Sequence, residues 1–216
     1  MKIAVFGTGT VGQTIGTKLV ELGHQVMMGS RTADNEKARE FVSKNNGNAR
    51  AGTFADAAAF GELVFNCTAG TGTLEAFKMA GAANLKGKLV IDVSNPLDFS
   101  KGMPPTLSVS NTTSLAEMLQ EQYPDARIVK SLNTMWCGLM VNPGLIKGDH
   151  VVFLSGDDVQ AKNEVKAMLK SFGWSEQNMI DLGGIATARG TEMYLPLWLR
   201  IYMASGSGAF NIGLVR

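Results

Sequence analysis

The first twelve residues constrain the fold of this chain more than any other segment. Residues 1–6 form a short, mostly apolar run, which is typical of a buried strand. Gly7, Gly9 and Gly12 follow in the spacing G-x-G-x-x-G, and an amphipathic helix is predicted directly afterwards. A glycine-rich turn wedged between a strand and a helix is the arrangement that binds a dinucleotide.

Each glycine of this turn has a separate expected role. Gly7 allows the tight turn, Gly9 lets the backbone approach a pyrophosphate, and Gly12 lets the helix pack close to the strand. The free N–H groups of the helix N-terminus point at the phosphates. The alternative, a glycine-rich turn without a ligand, is disfavoured by the flanking elements. We therefore predict that the loop binds the dinucleotide through Gly7, Thr8, Gly9, Thr10, Val11 and Gly12.

The end of the second predicted strand indicates which dinucleotide binds. Enzymes that use NAD usually place Asp or Glu here, on the ribose 2′-hydroxyl. This chain has Ser30, Arg31 and Thr32 instead, with Lys37 a turn or two later. Because arginine forks onto phosphate and stacks on adenine, we predict NADP(H) as the ligand. The alternative is that the Ser-Arg-Thr segment only caps the next helix, and that Lys37 lies on a solvated face.

Composition limits the remaining possibilities. The chain has 216 residues, 45% of them hydrophobic, which is enough for a sizeable core. A formal net charge of +1 without a basic cluster predicts no nucleic-acid partner. Cys67 and Cys137 lie far apart and outside any metal-binding spacing, so we expect reduced thiols and no metal. The most apolar run, 193–203, is too short for membrane insertion. Since a strand is predicted from the first residue, leaving no signal peptide, we expect a cytoplasmic protein.

Strands alternate with helices along the whole chain, which predicts an α/β fold of the Rossmann type. We expect a doubly wound, mostly parallel sheet with a C-terminal helix over 185 to about 204, and one long loop over 97–109. Residues 1–216 are predicted to form a single NADP(H)-binding domain. Its extension, from about 145 to 216, would supply elements of an acceptor site and of a dimer.

Ligands of such sheets lie at the carboxyl ends of the strands. Thr68 and Ala69 follow one strand and place small residues where a nicotinamide ribose would run. Ser94, Asn95 and Asn133 follow two other strands and carry groups that could orient a carboxamide. The alternative for all five is ordinary turn chemistry, since Asn, Ser and Gly are common in turns.

A proton donor is not evident beside these strand ends. Carbonyl reduction usually needs His, Tyr or Lys as an acid. His24 and His150 precede their strands, at the opposite end of the sheet. Lys130 ends a strand, and either reaches the site or donates to a loop carbonyl. We therefore predict no catalytic side chain, with hydride passing directly between NADPH and a second stacked ring.

The chain resembles the NADPH-dependent reductases of the deazaflavin coenzyme F420, and it is similar to the NADPH domain of the STEAP-type metalloreductases. The segments that carry the resemblance are 7–12, 29–31, 92–96, 130–134, 154–158, 181–184 and 188–189. The resemblance implies that 8–11 binds phosphates, that Ser30 and Arg31 bind the 2′-phosphate, and that Thr68 and Ala69 lie by the nicotinamide.

The resemblance also implies an NADPH-dependent oxidoreductase whose acceptor is coenzyme F420 or a flavin. The deazaflavin enzymes often carry His where this chain has Asn133, whereas the metalloreductases carry Asn, so FMN, FAD or riboflavin stays an alternative acceptor. A non-catalytic NADP(H)-binding sensor or partner subunit is a second hypothesis. A reductase of imines or carbonyls, with Lys130 as the donor, is a third.

The segment 194–203 is apolar nearly all round, which predicts a buried helix. We expect this helix to lie partly in a homodimer interface and partly against the acceptor. The alternative is a helix packed only on its own sheet.

Overall fold

The computed structural model describes residues 1–45 and 47–215. Its strands are β1 (Lys2–Phe6), β2 (Gln25–Ser30), β3 (Ala49–Thr53), β4 (Leu63–Asn66), β5 (Leu89–Asp92), β6 (Leu97–Asp98), β7 (Thr106–Leu107), β8 (Arg127–Ser131), β9 (Val152–Ser155) and β10 (Met179–Asp181). Its helices are α1 (Thr10–Glu21), α2 (Glu36–Lys44), α3 (Phe54–Phe60), α4 (Gly70–Ala80), α5 (Ala82–Leu85), α6 (Leu115–Gln122), α7 (Cys137–Val141), α8 (Val159–Ser171), α9 (Ala188–Met193) and α10 (Leu195–Ser205).

The centre of the molecule is an eight-stranded sheet in the order β10-β9-β8-β5-β4-β1-β2-β3. Every neighbouring pair is parallel except β8 and β9. Helices cover both faces, so the inner strands are buried on both sides and read as continuous apolar runs. The predicted Rossmann-type, doubly wound and mostly parallel sheet is confirmed.

Two apolar cores lie on opposite faces of this sheet. One core joins the sheet to α1, α2, α7 and α8, through residues such as Ile15, Phe41 and Val165. The other joins it to α3, α4 and α6, through residues such as Phe54, Phe77 and Leu119. Phe6 packs edge-on against both Phe54 and Phe77. This packing anchors the end of β1, which leads directly into the glycine-rich turn.

Close packing explains two of the three glycines in that turn. Gly7 has a φ of +105°, and a Cβ on it would lie 2.6 Å from the carbonyl oxygen of Cys67. A Cβ on Gly12 would overlap the carbonyl oxygen of Gly7. Both positions therefore need glycine for the fold itself. Gly7 needs it because of its positive φ and the backbone directly after β4, and Gly12 needs it because α1 approaches the end of β1 so closely.

The structure corrects two sequence predictions. The segment 97–109 is not one loop, since β6 and β7 pair in it as an antiparallel hairpin. The predicted C-terminal helix is split into a 3-10 turn, Ile185–Thr187, followed by α9 and α10. Pro196 lies in the first turn of α10. Proline lacks a backbone N–H, and in the first turn of a helix this N–H would have no intrahelical partner, so a new helix begins at this position.

Candidate functional site

A cleft of about 810 Å³ opens at the carboxyl ends of β1, β2 and β4, where ligands of doubly wound sheets bind. Eight of the predicted site residues line it: Gly7, Thr8, Gly9, Ser30, Arg31, Thr32, Thr68 and Ala69. The fold therefore brings together the glycine-rich turn, the end of β2 and the end of β4, three segments that lie within residues 7–69.

Gly9 faces this cleft without any structural need for glycine. Its φ of −74° suits any residue, and a Cβ built on it would meet no atom within 4 Å. Gly9 is also the N-cap of α1, and no side chain caps the first-turn amides. These amides are available to an anion, since the first four N–H groups of a helix have no intrahelical partner. Open space beside free amides fits a pyrophosphate.

Arg31 is the group at the end of β2 that can take a phosphate. The Ser30 hydroxyl donates to the carbonyl of Thr32 at 2.6 Å. The side chain of Thr32 helps to hold the pKa of the nearby Asp34 carboxyl below its usual value. Arg31 is exposed and forms no ion pair among residues 1–45 and 47–215.

The alternative in which Ser30 to Thr32 cap the next helix is wrong. The N-cap of α2 is Asn35, whose side-chain oxygen accepts from the amide of Ala38 at 3.1 Å. The residues at the end of β2 therefore do not cap α2, and Arg31 lies at the edge of the cleft, available to bind a ligand.

Lys37 and Thr10 lie elsewhere. They line a second groove, of about 720 Å³, which runs between α1, α2 and α7 and meets the cleft at Thr8 and Gly9. The side chain of Val11 packs against the core. Val11 can therefore offer a ligand its backbone amide alone.

The three predicted polar residues after β5 and β8 are all hydrogen-bonded within the protein. Asn95 donates to the carbonyl of Asn133 at 2.8 Å, and the Asn133 amide donates back to the side-chain oxygen of Asn95 at 2.9 Å. The Ser94 hydroxyl donates to Asp92. None of these three residues lines the cleft. Leu132, directly before Asn133, has a φ of +65°, which is a strained conformation for a residue other than glycine. The hydrogen bonds at this junction of the loops after β5 and β8 keep the strained backbone in place.

Lys130 lies beneath this junction in a buried cluster of charges. Its Nζ donates to Asp92 at 2.6 Å and to the carbonyl of Ser94 at 2.7 Å, and it forms an ion pair with Glu192 at 2.8 Å. Only 1% of the lysine is exposed. Of its two expected roles, donation to a loop carbonyl is the one that the structure shows.

The charge state of Lys130 follows from these partners. Burial by itself lowers the pKa of the ammonium, but the charges of Asp92 and Glu192 and their hydrogen bonds outweigh it and raise the pKa above its usual value. Lys130 therefore keeps its proton at neutral pH, and it is buried and does not line the cleft. It is not placed to act as an acid for a bound substrate.

Cys67 lines the cleft but is not a reactive thiol. Burial, and then the negative charge of Asp92, raise the pKa of Cys67 well above its usual value, which suppresses the nucleophilic thiolate. Both cysteines are free. Within the described residues no group of three or more His, Cys, Asp or Glu side chains could hold a metal, and no helix is long and apolar enough to cross a membrane.

Sequence reasoning missed the wall that α4 supplies. Gly72, Glu75, Ala76 and Met79 face the cleft together from this helix. Their spacing of i, i+3, i+4 and i+7 is the signal of a single helical face. It was not recognised because that face is part polar and part apolar. Glu192 lies on α9 and is the third charged residue of the buried cluster around Lys130. Nothing in its neighbouring sequence indicates that role.

Comparison with known proteins fits this geometry. Residues 2–96 match the family described as NADP oxidoreductase, coenzyme F420-dependent. A crystal structure from Arthrobacter sp. FB24, whose name assigns it provisionally to the F420-dependent NADP reductases, is 48% identical, with a TM-score of 0.94 and 100% of both chains covered. The F420-dependent NADP reductase of Methanothermobacter marburgensis is 26% identical over 93% of this chain and 92% of its own length.

A second kind of relative is longer than this chain. The metalloreductase STEAP3 of Rattus norvegicus is 27% identical over 91% of this chain, but only 38% of the metalloreductase is covered. This chain thus spans about two fifths of that relative.

The fold and these relatives define an NADP-dependent oxidoreductase with a Rossmann-type domain. Within that class, the chain belongs to the family of coenzyme F420-dependent NADP oxidoreductases. The sequence resemblance to this family, and to the metalloreductase domain, is confirmed.

Proposed function

We propose that this protein, working in the cytoplasm, transfers a hydride between NADP(H) and coenzyme F420, with a flavin as the alternative acceptor. The observation that carries the proposal is a dinucleotide cleft whose described lining contains no His, Tyr or Lys that could serve as a proton donor. The cleft has open amides at Gly9 and a free cation at Arg31, while the candidate donor Lys130 is buried among carboxylates. Hydride transfer between two stacked rings depends mainly on positioning, and the proton that completes the reduced acceptor comes from water without a dedicated side-chain acid.

The residues of the cleft divide the work of holding NADP(H). The amides of 8–11 would bind the pyrophosphate, and Arg31 would bind the 2′-phosphate. The adenine would lie against the α4 face, where Ala76 and Met79 offer apolar contact. Thr68 and Ala69 would border the nicotinamide riboside.

Trp136 would form one side of the acceptor site. This residue lies three positions after Asn133, in the segment between β8 and α7, and 42% of it is exposed. Gly138 and Gly208 pack against its ring, where an added Cβ would lie 2.5 Å and 3.0 Å from tryptophan atoms. Gly208 belongs to the C-terminal extension, which Phe210 ties to α10 by stacking on Trp198 at 5.4 Å. These contacts support an acceptor site built partly by the extension.

Replacing Arg31 by alanine is expected to weaken NADPH binding by one to two decades and to leave NADH binding nearly unchanged. A hydrogen bond to a charged group contributes about 1.5–3 kcal/mol, and only NADPH carries the 2′-phosphate. Fluorescence titration with both nucleotides measures the difference. Arg50→Ala removes an exposed arginine that lies over Phe60, away from the cleft, and serves as the control. An equal loss for both nucleotides would contradict the assignment of Arg31.

Turnover with a panel of acceptors tests the reaction itself. NADPH oxidation would be followed with coenzyme F420, FMN, FAD and riboflavin. With nicotinamide-deuterated NADPH, the label should appear at the central ring carbon of the deazaflavin, whereas a flavin nitrogen would lose it to water. Stoichiometric NADPH binding without turnover of any acceptor would reject the reductase and favour the redox sensor.

We further propose that the exposed face of α9 and α10 forms a homodimer. Met193, Leu197 and Ile201 recur at intervals of four residues and are 41%, 57% and 37% exposed. Arg200 is the sole charged residue of α10. An apolar helical stripe of this length is typical of an interface, and a two-fold axis would bury each residue twice.

Leu197→Asp is expected to convert the dimer to a monomer. Each buried leucine contributes about 1.5–3 kcal/mol, so losing both copies should weaken the dimer at least about 100-fold. Light scattering coupled to gel filtration measures the mass. Val159→Asp changes an apolar residue of α8 that is 67% exposed, and should leave the mass unaltered. A monomeric wild-type protein at micromolar concentration would exclude this interface.

A further inference from the structure

A chain of hydrogen bonds joins the ends of β4 and β5 to the wall of the cleft. Asn66 and Asp92 are the last residues of these strands, lie side by side in register and are fully buried. The side-chain nitrogen of Asn66 donates to Asp92 at 2.8 Å. The side-chain oxygen of Asn66 accepts from the hydroxyl of Thr68 at 2.7 Å and from the Thr68 amide at 3.3 Å.

The orientation of the Asn66 amide is fixed from both ends. The carboxylate of Asp92 accepts and cannot donate, and its other partners, Lys130 and Ser94, are donors. The backbone N–H of Thr68 can only donate. A flipped Asn66 would face donor with donor on one side and acceptor with acceptor on the other. The side-chain oxygen of Asn66 therefore points at Thr68.

This orientation decides where the single proton of the Thr68 hydroxyl goes. The proton is donated to Asn66, because the Asn66 oxygen can only accept. The hydroxyl of Thr73, which is fully buried, lies 2.8 Å from that of Thr68 and 3.3 Å from the carbonyl oxygen of Ala69. Because the Thr68 proton is already donated to Asn66, Thr73 is the donor of the shorter pair, and its contact with Ala69 is the longer branch of a shared proton. Thr68 keeps one free lone pair and no free proton, and it lines the cleft.

We infer that Asn66 is a positioning residue that makes Thr68 an acceptor of hydrogen bonds toward the cleft. Thr68 would then recognise a hydrogen-bond donor on the nicotinamide riboside, either the carboxamide N–H or a ribose hydroxyl. A phosphate oxygen at the same place would face the lone pair and be disfavoured. The inference rests on the proposed binding of NADP(H). It states that Asn66 and Thr68 together favour the nicotinamide half of the dinucleotide, and not its phosphates, at the end of β4.

Binding of two nucleotides to Thr68 variants tests the inference. The probes are NADPH and its reduced 3-acetylpyridine analogue, in which a methyl group replaces the amide nitrogen. Thr68→Val keeps the shape but removes the acceptor, and is expected to weaken NADPH binding about three- to tenfold, as for one neutral hydrogen bond. Thr68→Ser keeps the hydroxyl and should bind like the wild type. Thr112→Val, at an exposed loop position, is the matched control and should change nothing.

The pattern of losses identifies the donor. If the carboxamide donates, the wild type binds NADPH more tightly than the analogue, and Thr68→Val removes that difference. If a ribose hydroxyl donates, Thr68→Val weakens both nucleotides equally. Unchanged binding of both nucleotides to Thr68→Val, or equal weakening in Thr68→Ser, would overturn the inference while leaving NADP(H) binding intact. A wild type that binds no NADPH would instead refute the proposed function, and the inference with it.

Asn66→Ala separates positioning from contact. Without Asn66 the Thr68 hydroxyl can rotate and donate its proton toward the cleft. The Asn66→Ala protein should therefore lose at least part of the NADPH affinity that Thr68→Val loses, although Thr68 is still present. A thermal melt reports whether this buried variant folds, and the two Thr68 variants decide the contact if it does not. Wild-type affinity for both nucleotides in a folded Asn66→Ala protein would reject the positioning role.

Discussion

Gly9→Val is expected to abolish NADP(H) binding and to leave the protein folded. The valine side chain would project into the space that the pyrophosphate needs, because a Cβ at Gly9 meets no protein atom within 4 Å. Losing two charge-assisted phosphate contacts would cost about 3–6 kcal/mol, which is about a 100- to 10,000-fold loss of affinity. Stability should fall by no more than about 1 kcal/mol, since φ at Gly9 suits valine and only the N-cap preference is affected.

Titration of NADPH and a thermal melt measure the two halves of this result. Gly190→Val provides the control, because Gly190 is exposed on α9 and a Cβ there is equally unobstructed. A Gly9→Val protein that unfolds would show that the glycine serves the fold, and one that binds NADPH normally would remove the glycine-rich turn from the binding site.

Lys130→Met is expected to destabilise the protein strongly and to spare catalysis. The substitution leaves Asp92 and Glu192 buried without their cation, and removing one member of a buried ionic cluster costs about 3–5 kcal/mol. For a domain of this size the melting temperature should fall by about 6–20 °C. Lys170→Met, which breaks an exposed pair with Glu176, should shift the melting temperature little.

The pH dependence of this loss has a definite sign. Because the folded pKa of Lys130 is raised, its contribution to stability is complete below the ordinary lysine pKa of about 10.4 and is lost as the pH rises through the folded value. The difference in the free energy of unfolding between the wild type and Lys130→Met should therefore be constant around neutral pH and should decrease only in strong alkali.

The kcat of the folded Lys130→Met protein separates the two mechanisms. A general acid contributes about 10²–10⁴-fold, so an acid-free hydride transfer should retain most of kcat when measured well below the melting temperature. A hundredfold drop in a folded protein would overturn the acid-free mechanism and favour an imine or carbonyl reductase.

Local signals account for what was predicted correctly. The strand, G-x-G-x-x-G turn and helix at residues 1–22 follow from short-range periodicity and from the backbone freedom of glycine. The alternation of strands and helices determined the doubly wound sheet, because that alternation leaves few other ways to bury both faces. The identity of Arg31 at the end of β2 is equally local, and its contact with a 2′-phosphate stays a prediction.

The fate of polar side chains at the strand ends could not be predicted locally. Asn95 and Asn133 looked suited to a carboxamide, yet they bind each other across 38 residues of sequence. Ser30 lines the cleft but donates its hydroxyl proton to the carbonyl of Thr32, and its contact with a phosphate stays a prediction. Buried polar groups take the nearest partner that the fold provides, and that partner is not encoded in their neighbours.

The sequence by itself determined the Rossmann-type sheet, the glycine-rich turn and the family, because these depend on residue type at short spacing. Only the tertiary structure decided that Lys130 is sequestered, since Glu192 reaches it from α9, 62 residues later. Only the tertiary structure oriented Asn66 between Asp92 and Thr68, and so fixed that the Thr68 hydroxyl offers the cleft a lone pair and not a proton. Proton positions and charge states depend on which groups burial brings together, and that is a property of the folded chain.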